Sequence, residues 1–474
     1  MGFFDTILNA INDLTWGWAL IPFLVILGCF FTISSGFVQF RFFKRMFRVL
    51  GRSPDSDPNQ ISARAALLVS VGGRVGGGNI AGVAVAITAG GPGAVFWMWA
   101  IALIGMCSAL VEATLAQAFK RSEDGGAYRG GPAQAIVYGL GQNYRWLAVV
   151  YAVCLIASFA IGFNAFQGNT VAGAALDSLS IPRLYTGAFL AVATGLIVYG
   201  GIHRIAKVAD VMIPVMAIGY LGMAVVVILL NITGLPGVIW DIVANAFGFR
   251  EAVAGGVGAA IAQGLRRGLF SNEAGLGSAP NVAATAYVRH PVSQGITQSF
   301  SVFIDTIIVC SSTAFIILLG DVYQPGAEGV DGVVLTQQSL VSHVGSWAQY
   351  FLTAAIFLFS FSSIMYNYYL GENALNFMTK KPIAVHILRI AIIGIVFLGA
   401  VAPGATAVFN FSDPMMGILA VVNLLALMMM FPIALRLIND FRSQLDSGMK
   451  RPVFDPKAFP DLDTDPTAWP DAPK

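Results

Sequence analysis

Two apolar stretches in this chain are long enough to cross a bilayer, yet each is interrupted in the middle. Val71 to Ile80 reads Val-Gly-Gly-Arg-Val-Gly-Gly-Gly-Asn-Ile, and Gly264 to Gly277 reads Gly-Leu-Arg-Arg-Gly-Leu-Phe-Ser-Asn-Glu-Ala-Gly-Leu-Gly. Glycines and charges at that depth oppose a continuous helix. Inside a bilayer the backbone can leave the helix only where protein or a water-filled cavity satisfies its N–H and C=O groups. Paired broken helices at matching places in two halves of a chain point to the substrate site of a transporter.

Composition agrees with a membrane setting. Apolar residues make up 57% of the chain and charged residues 11%, with a mean hydropathy of +0.74, whereas soluble domains carry about a quarter charged residues. The fold class is therefore an all-α polytopic membrane protein in contact with the lipid bilayer. A net charge of +2 carries no nucleic-acid signal, because the basic residues flank apolar runs. Cys29, Cys107, Cys154 and Cys310 lie in apolar spans without metal-ligand spacing, so buried free thiols are expected. No basic n-region or Ala-x-Ala site marks a cleaved leader, and the first span reads as an uncleaved anchor.

A crossing helix needs about 20 largely apolar residues. Eleven spans satisfy this: 17–38, 60–89, 92–119, 146–172, 184–201, 208–231, 255–287, 294–320, 346–368, 385–403 and 412–438. Basic residues gather in alternate loops, at Arg41 to Arg52, Lys120 to Arg145, Arg204 and Lys207, Arg289, Lys380 and Lys381, and Arg436 to Arg451, while the opposite loops hold only Arg183 and Arg250 and the 321–345 loop is acidic. The positive-inside rule then puts the N-terminus outside and the C-terminus in the cytoplasm.

Ten spans remain once the first is set aside. They split five and five, and because five is odd the second group enters from the opposite side. The expected architecture is one transmembrane domain over 1–438: an extra helix at 17–38, a first repeat at 60–231 and an inverted second repeat at 255–438, each repeat opening on a discontinuous helix. The tail at 439–474 is rich in Pro and Asp and is expected to be disordered.

The interruptions supply the candidate site. Gly76, Gly77 and Gly78 expose backbone N–H groups at a helix N-terminus, which suits a carboxylate; close helix packing through small residues is the bland alternative. Unwound carbonyls also suit a cation with hard oxygen ligands such as Na⁺, with Ser362 and Ser363 as hydroxyl partners or as plain back-bonded serines. In the second interruption Ser271 and Asn272 can donate and accept, and Phe270 can wall off a small side chain. Gln167 and Asn164, near a turn apart on the fourth span, can face one interior. Arg74, Glu112, Arg266, Arg267, Glu273 and Asp305 lie at membrane depth, where ionisable groups are paired, interior-facing or functional. Structural or gating ion pairs are the preferred reading, and a proton relay through Glu112, Glu273 or Asp305 the rival. No nucleophile–base–orienter set and no metal cluster stands out, so no enzyme and no cofactor is expected.

Four blocks resemble the alanine/glycine:cation symporter family, also called sodium:alanine symporters, of the amino acid–polyamine–organocation superfamily. They are GNIAGVA at Gly78–Ala84, GGPGAVFWMWAIALIG at Gly90–Gly105, GGIHRIAKVAD at Gly200–Asp210 and GLFSNEAGLGSAP at Gly268–Pro280. The resemblance implies two inverted five-helix repeats plus one helix, and uptake of small neutral amino acids, alanine and glycine foremost, driven by Na⁺. It implies a bacterial inner-membrane location. It places the first core break on Gly72–Asn79, the second on Phe270–Gly275 and the substrate glutamine on Gln167. Comparison with the wider fold sets Na⁺ near the carbonyls of Gly72 and Val75 and the hydroxyls of Ser362 and Ser363. Departures bear on substrate identity: glycine replaces the Thr or Ser between the glycines of Val-Gly-Thr-Gly-Asn, Gln167-Gly168-Asn169-Thr170 replaces Gln-Ala-Asn-Ser, and Asn367 stands where many members carry Trp. Serine or glutamine are the shifted alternatives. H⁺ coupling is a second reading, and a passive channel a third of another class.

Overall fold

The computed structural model describes residues 13–50, 60–123, 126–199, 201–249, 256–324, 332–403 and 405–469. The expected start of the second repeat at 255, residues 325–331 of the acidic loop and the tail beyond 469 lie outside the described residues.

The chain opens on a π-helical stretch, Asp13–Leu20, that runs into α1 (Ile21–Ser34). A short strand β1 (Ile61–Ser62) then leads into α2 (Ala63–Arg74), whose N-cap is Ser62, its hydroxyl accepting from Ala65 N at 3.1 Å. The axis bends by 51° before α3 (Gly78–Gly90). Next come α4 (Gly93–Ala118), the hairpin β2 (Arg121–Ser122) and β3 (Tyr128–Arg129), α5 (Pro132–Leu140), α6 (Gln142–Leu179), α7 (Arg183–Val198) and α8 (Gly201–Leu230). A helix not anticipated from the sequence, α9 (Leu235–Ala246), joins the halves.

The second half follows the same order. It has α10 (Gly256–Asn272), a break, α11 (Ala279–Ala283), strand β4 (Ala286–Tyr287) and then α12 (Pro291–Leu318). A short helix α13 (Gly332–Val344) follows, inside the segment read as a plain acidic loop, and then α14 (Trp347–Met378), α15 (Pro382–Val401) and α16 (Ala405–Asp446). Proline begins α5, α12 and α15, where its missing N–H costs nothing. Each half therefore reads broken helix, long helix, short helix, three further helices.

Each of the eleven expected spans overlaps helix among the described residues, although the second and seventh also take in the strand residues Ile61–Ser62 and Ala286–Tyr287. Among the described residues, seven helices are long and apolar enough to cross a membrane, and the bent pair α2–α3 makes an eighth. Helices α1 and α7 are apolar but only 14 and 16 residues long. Burial separates centre from rim: α4 and α12 are 67% buried over their apolar windows, whereas α8 and α15 are 28% buried. The broken helices thus pack around α4 and α12, and α8 and α15 turn their apolar faces outward. The four cysteines are free, with Cys107 and Cys310 buried and Cys29 and Cys154 half-buried rather than enclosed.

One backbone connection crosses between the halves at the start of α2. Strand β1 pairs in parallel with β4, Ile61 opposite Ala286 and Ser62 opposite Tyr287. The tail departs from the expected disorder. Helix α16 continues to Asp446, and the segment through Trp469 packs on the protein, with Phe454, Phe459 and Trp469 all buried. Those three rings give this polar, Pro-rich segment the apolar area that its mean composition conceals.

Candidate functional site

Helix α2 ends because Val75 turns to an extended conformation (φ −74°, ψ 94°), which strands the following amides. Two side chains take them. Gly76 N donates to Asn79 Oδ1 at 2.9 Å, and Gly77 N donates to Gln167 Oε1 at 3.0 Å. Only glycine fits here. A Cβ on Gly76 would lie 2.4 Å from Ser363 Oγ, and one on Gly77 would lie 2.9 Å from Thr170 Oγ1. The glycines pack closely, and the Gly76 and Gly77 amides are taken by side chains rather than left open.

The second break follows Asn272. Glu273 takes a left-handed φ of 55°, with Gly275 at 92° and Gly277 at 75°. Asn272 Oδ1 accepts from Ala274 N at 3.0 Å, so this side chain caps the break while its Nδ2 is buried without a partner. Phe270 lies between the two breaks and two neighbouring rings. It stacks on Phe163 with centroids 4.3 Å apart, meets Phe166 edge-on at 5.2 Å, and lies 3.2 Å from where a Cβ on Gly78 would stand.

Asp305 joins the two breaks. Its Oδ1 accepts from Asn79 Nδ2 at 2.7 Å, and its Oδ2 accepts from Ser271 Oγ and Thr306 Oγ1, each at 2.8 Å. Asp305 and Phe163 both sit in π-helical turns, of α12 and α6; such turns recur at functional sites.

Of the expected cation ligands, Gly72, Ser362 and Ser363 come together, and Gly73 joins them. Ser362 Oγ donates to Gly72 O at 2.6 Å, and Ser363 Oγ donates to Gly73 O at 2.8 Å and lies 3.4 Å from Gly72 O. This is a cluster of neutral carbonyl and hydroxyl oxygens, a donor set that suits a singly charged hard cation. Val75 is the C-cap of α2, its N–H donating to Val71 O. Asn367 and Asn164 pair with each other, Nδ2 to Oδ1 at 3.2 Å, so they bridge α14 and α6 while Gln167 alone reaches the first break.

Arg74 acts electrostatically on Glu112, Glu273 and Asp305, while the closest partners seen for these groups among the described residues are neutral. Glu112 Oε1 accepts from Asn423 Nδ2 at 2.6 Å and Gly277 N at 3.2 Å; Glu273 Oε2 accepts from Ser278 Oγ at 2.5 Å and Tyr366 Oη at 3.0 Å. Arg74 Nη1 donates to Ser301 Oγ and to Gln298 O. Neutral partners meet part of each group, while Arg74 Nε and Nη2 and Glu112 Oε2 are buried without a hydrogen bond. Arg267 instead pairs with Asp413 at 2.5 Å, and Arg266 lies 3.9 Å from the same carboxylate. Asp413 escaped the sequence reading because it sits at the very start of an apolar span. Tyr366 escaped it too, although it lies one turn from Ser362.

The sodium:alanine symporter family matches residues 1–456. The chain belongs to this family. Amino-acid carrier protein AlsT of Bacillus subtilis (strain 168) is 45% identical over 460 residues, covering 97% of each chain. The probable sodium/glutamine symporter GlnT of the same organism is 46% identical over 451 residues, covering 95% of this chain and 93% of that one. Among solved structures, MhsT in complex with L-phenylalanine superposes with a TM-score of 0.57 at 14% identity, covering 81% of this chain and 99% of that chain; this likeness concerns the fold. As a sodium:alanine symporter family member, the chain is a multi-pass membrane transporter of the amino acid symporter class.

Proposed function

We propose that this symporter imports a small neutral amino acid, alanine or glycine foremost, together with Na⁺ by alternating access. One observation carries the reading: Gln167 Oε1 sits 3.0 Å from the Gly77 amide, where a substrate carboxylate oxygen would bind. An incoming amino acid displaces that side-chain oxygen, takes the Gly77 and Gly78 amides, and leaves Gln167 to meet its ammonium group. Phe270 allows only a short side chain above Gly78. Asn79 already occupies the Gly76 amide, so Asn79, Ser271 and Asp305 shape the site rather than touch the carboxylate. Na⁺ joins the oxygens of Gly72, Val75, Ser362 and Ser363, whose two hydroxyls turn their lone pairs toward it. The charge pattern sets the N-terminus outside and the C-terminus in the cytoplasm of a bacterial plasma membrane.

H⁺ coupling is the second reading, favoured by three buried carboxyl groups, Glu112, Glu273 and Asp305. The test is uptake of labelled L-alanine into proteoliposomes under an inward Na⁺ gradient against an inward K⁺ gradient. Accumulation above the outside concentration with Na⁺ alone is the expected result and excludes a channel. Accumulation that ignores Na⁺ and follows a pH gradient overturns the Na⁺ assignment. Competition by glycine, serine and glutamine then ranks substrates.

A further inference from the structure

The C-terminal segment carries a tandem repeat. Asp455-Pro456-Lys457-Ala458-Phe459-Pro460-Asp461 recurs ten residues on as Asp465-Pro466-Thr467-Ala468-Trp469-Pro470-Asp471. Each copy is a small rigid device. The Asp side chain caps a single 3₁₀ turn, Asp455 Oδ1 accepting from Lys457 N at 3.0 Å and Asp465 Oδ1 from Thr467 N at 2.9 Å, with Pro at the first helical position. The turn then presents one aromatic ring. The family match stops at residue 456, so both turns lie almost wholly beyond it.

Both rings close on the face that holds the end of α16. The Trp469 ring lies 4.4 Å from Lys120 Nζ, which lies 4.0 Å from the Tyr128 ring and donates to Ala286 O at 3.1 Å. Phe454 packs on Trp469 and Phe459, at 4.9 and 5.5 Å, and its N–H donates to Arg289 O at 2.8 Å. Ion pairs fasten the edges, Asp461 to Arg436 at 2.6 Å and Asp463 to Arg121 at 2.8 Å. Exposed pairs of this kind contribute little, so the rings and the buried cation are the anchors.

What the segment grips matters more than how. Its contacts bracket 286–290, and Ala286–Tyr287 is the strand on which Ile61–Ser62, the lead-in to the broken helix α2, is paired. Movement of α2 away from this face must part β1 from β4 or carry β4 off Lys120 and Phe454. We propose that residues 450–469 form an intramolecular strap that holds the inner end of α2 against β4 and thereby restrains opening of the transporter toward the cytoplasm. The strap's place on the cytoplasmic side rests on the orientation given under the proposed function.

The test is hydrogen–deuterium exchange of the full chain in lipid nanodiscs without substrate, so it stands even if the amino acid assignment falls. In Trp469→Ala, exchange over 61–68 and 284–290 is expected to quicken at least fivefold, with α9 unchanged. Free exchange over 450–469 while 61–68 keeps its wild-type rate overturns the proposal and reduces the segment to a cover. A second variant works in the opposite sense. Ser122 Oγ and Thr467 Oγ1 lie 3.1 Å apart, so Ser122→Cys with Thr467→Cys allows the strap to be locked by oxidation. Locking is expected to slow exchange over 61–68 at least twofold, with reductant restoring it. A formed crosslink that leaves 61–68 unaltered also overturns the proposal.

Discussion

Arg267 and Asp413 meet at 2.5 Å with both side chains more than nine-tenths buried, one near the end of α10 and the other early in α16. They join two helices on the side of the second break away from the strap. The Trp16 indole donates to Asp413 O at 2.9 Å, and its ring lies 5.2 Å from the Arg266 guanidinium, so the N-terminal segment is tied in as well. Removing one member of a buried pair leaves an uncompensated charge and costs about 3–5 kcal/mol, whereas replacing both by apolar groups is often neutral. Asp413→Asn is therefore expected to lower the thermal midpoint clearly and Arg267→Met with Asp413→Leu to recover it. Detergent-solubilised melting curves check this. Uptake is expected to stay depressed in the double variant, because an apolar contact does not part and re-form with the same selectivity.

Gln167 answers for the Gly77 amide. Truncation in Gln167→Ala leaves that buried N–H without its partner, a loss of about 1–3 kcal/mol, and removes the group assigned to the substrate ammonium. The apparent KM for L-alanine is expected to rise about tenfold or more, equivalent to about 1.4 kcal/mol. Gln167→Glu is the sharper case. Its carboxylate keeps the bond to Gly77 N and competes with substrate for it, so transport should be nearly abolished in a well-folded protein. Wild-type uptake kinetics in both variants would remove Gln167 from the site.

Ser362 and Ser363 distinguish ion from substrate. Each hydroxyl bonds back to its own helix, at Phe359 O, as well as across to α2. If their role were only local back-bonding, alanine replacements would alter stability slightly and ion dependence not at all. The assignment to Na⁺ predicts a rise of about tenfold in the half-saturating Na⁺ concentration, about 1.4 kcal/mol, with the alanine KM at saturating Na⁺ changed much less. Sodium titrations of initial uptake rates measure the split.

Lys120 gives the strap a pH dependence. Burial pushes its ammonium down to about 7, while the Tyr128 and Trp469 ring faces and the Ala286 carbonyl favour the charged form. Arg121, Asp463 and Asp465 stand on the neighbouring turns. The unfolded chain holds its lysine protons to about pH 10.4, so between about 7 and 10.4 it binds more protons than the native state and global stability gains from rising pH. The same linkage acts locally, because parting Trp469 from Lys120 uncovers the ammonium and returns it toward its ordinary range, so closure of the strap is favoured as pH rises. Exchange over 450–469 is thus expected to slow between pH 6 and 8.5 after correction for intrinsic rates, and Lys120→Met is expected to lose that pH dependence.

Much of this arrangement is legible in the sequence, and the gaps have physical causes. Apolar runs and alternating basic loops locate the helices because a bilayer fixes span length and sidedness. Both breaks are visible because glycine and charge are costly in a spanning helix. Partnership is different. Arg267 and Asp413 are 146 positions apart, and no local pattern announces their meeting. Asn164 and Gln167 look equivalent on one helix, but only packing sends one to Asn367 and the other to Gly77. The tail misleads because composition averages over its length. Its Asp and Pro residues read as solvated chain, whereas their spacing builds two capped turns that each deliver a ring.

The β1–β4 ladder is made of main-chain groups alone, so any sequence that can adopt an extended strand of two residues preserves it. The side chains proposed above to meet the substrate, Gln167 and Phe270 among them, sit elsewhere. Mechanical linkage between the halves and choice of cargo are thereby written in separate alphabets, backbone for one and side chain for the other. A descendant of this transporter can exchange its cargo without having to reinvent its lever.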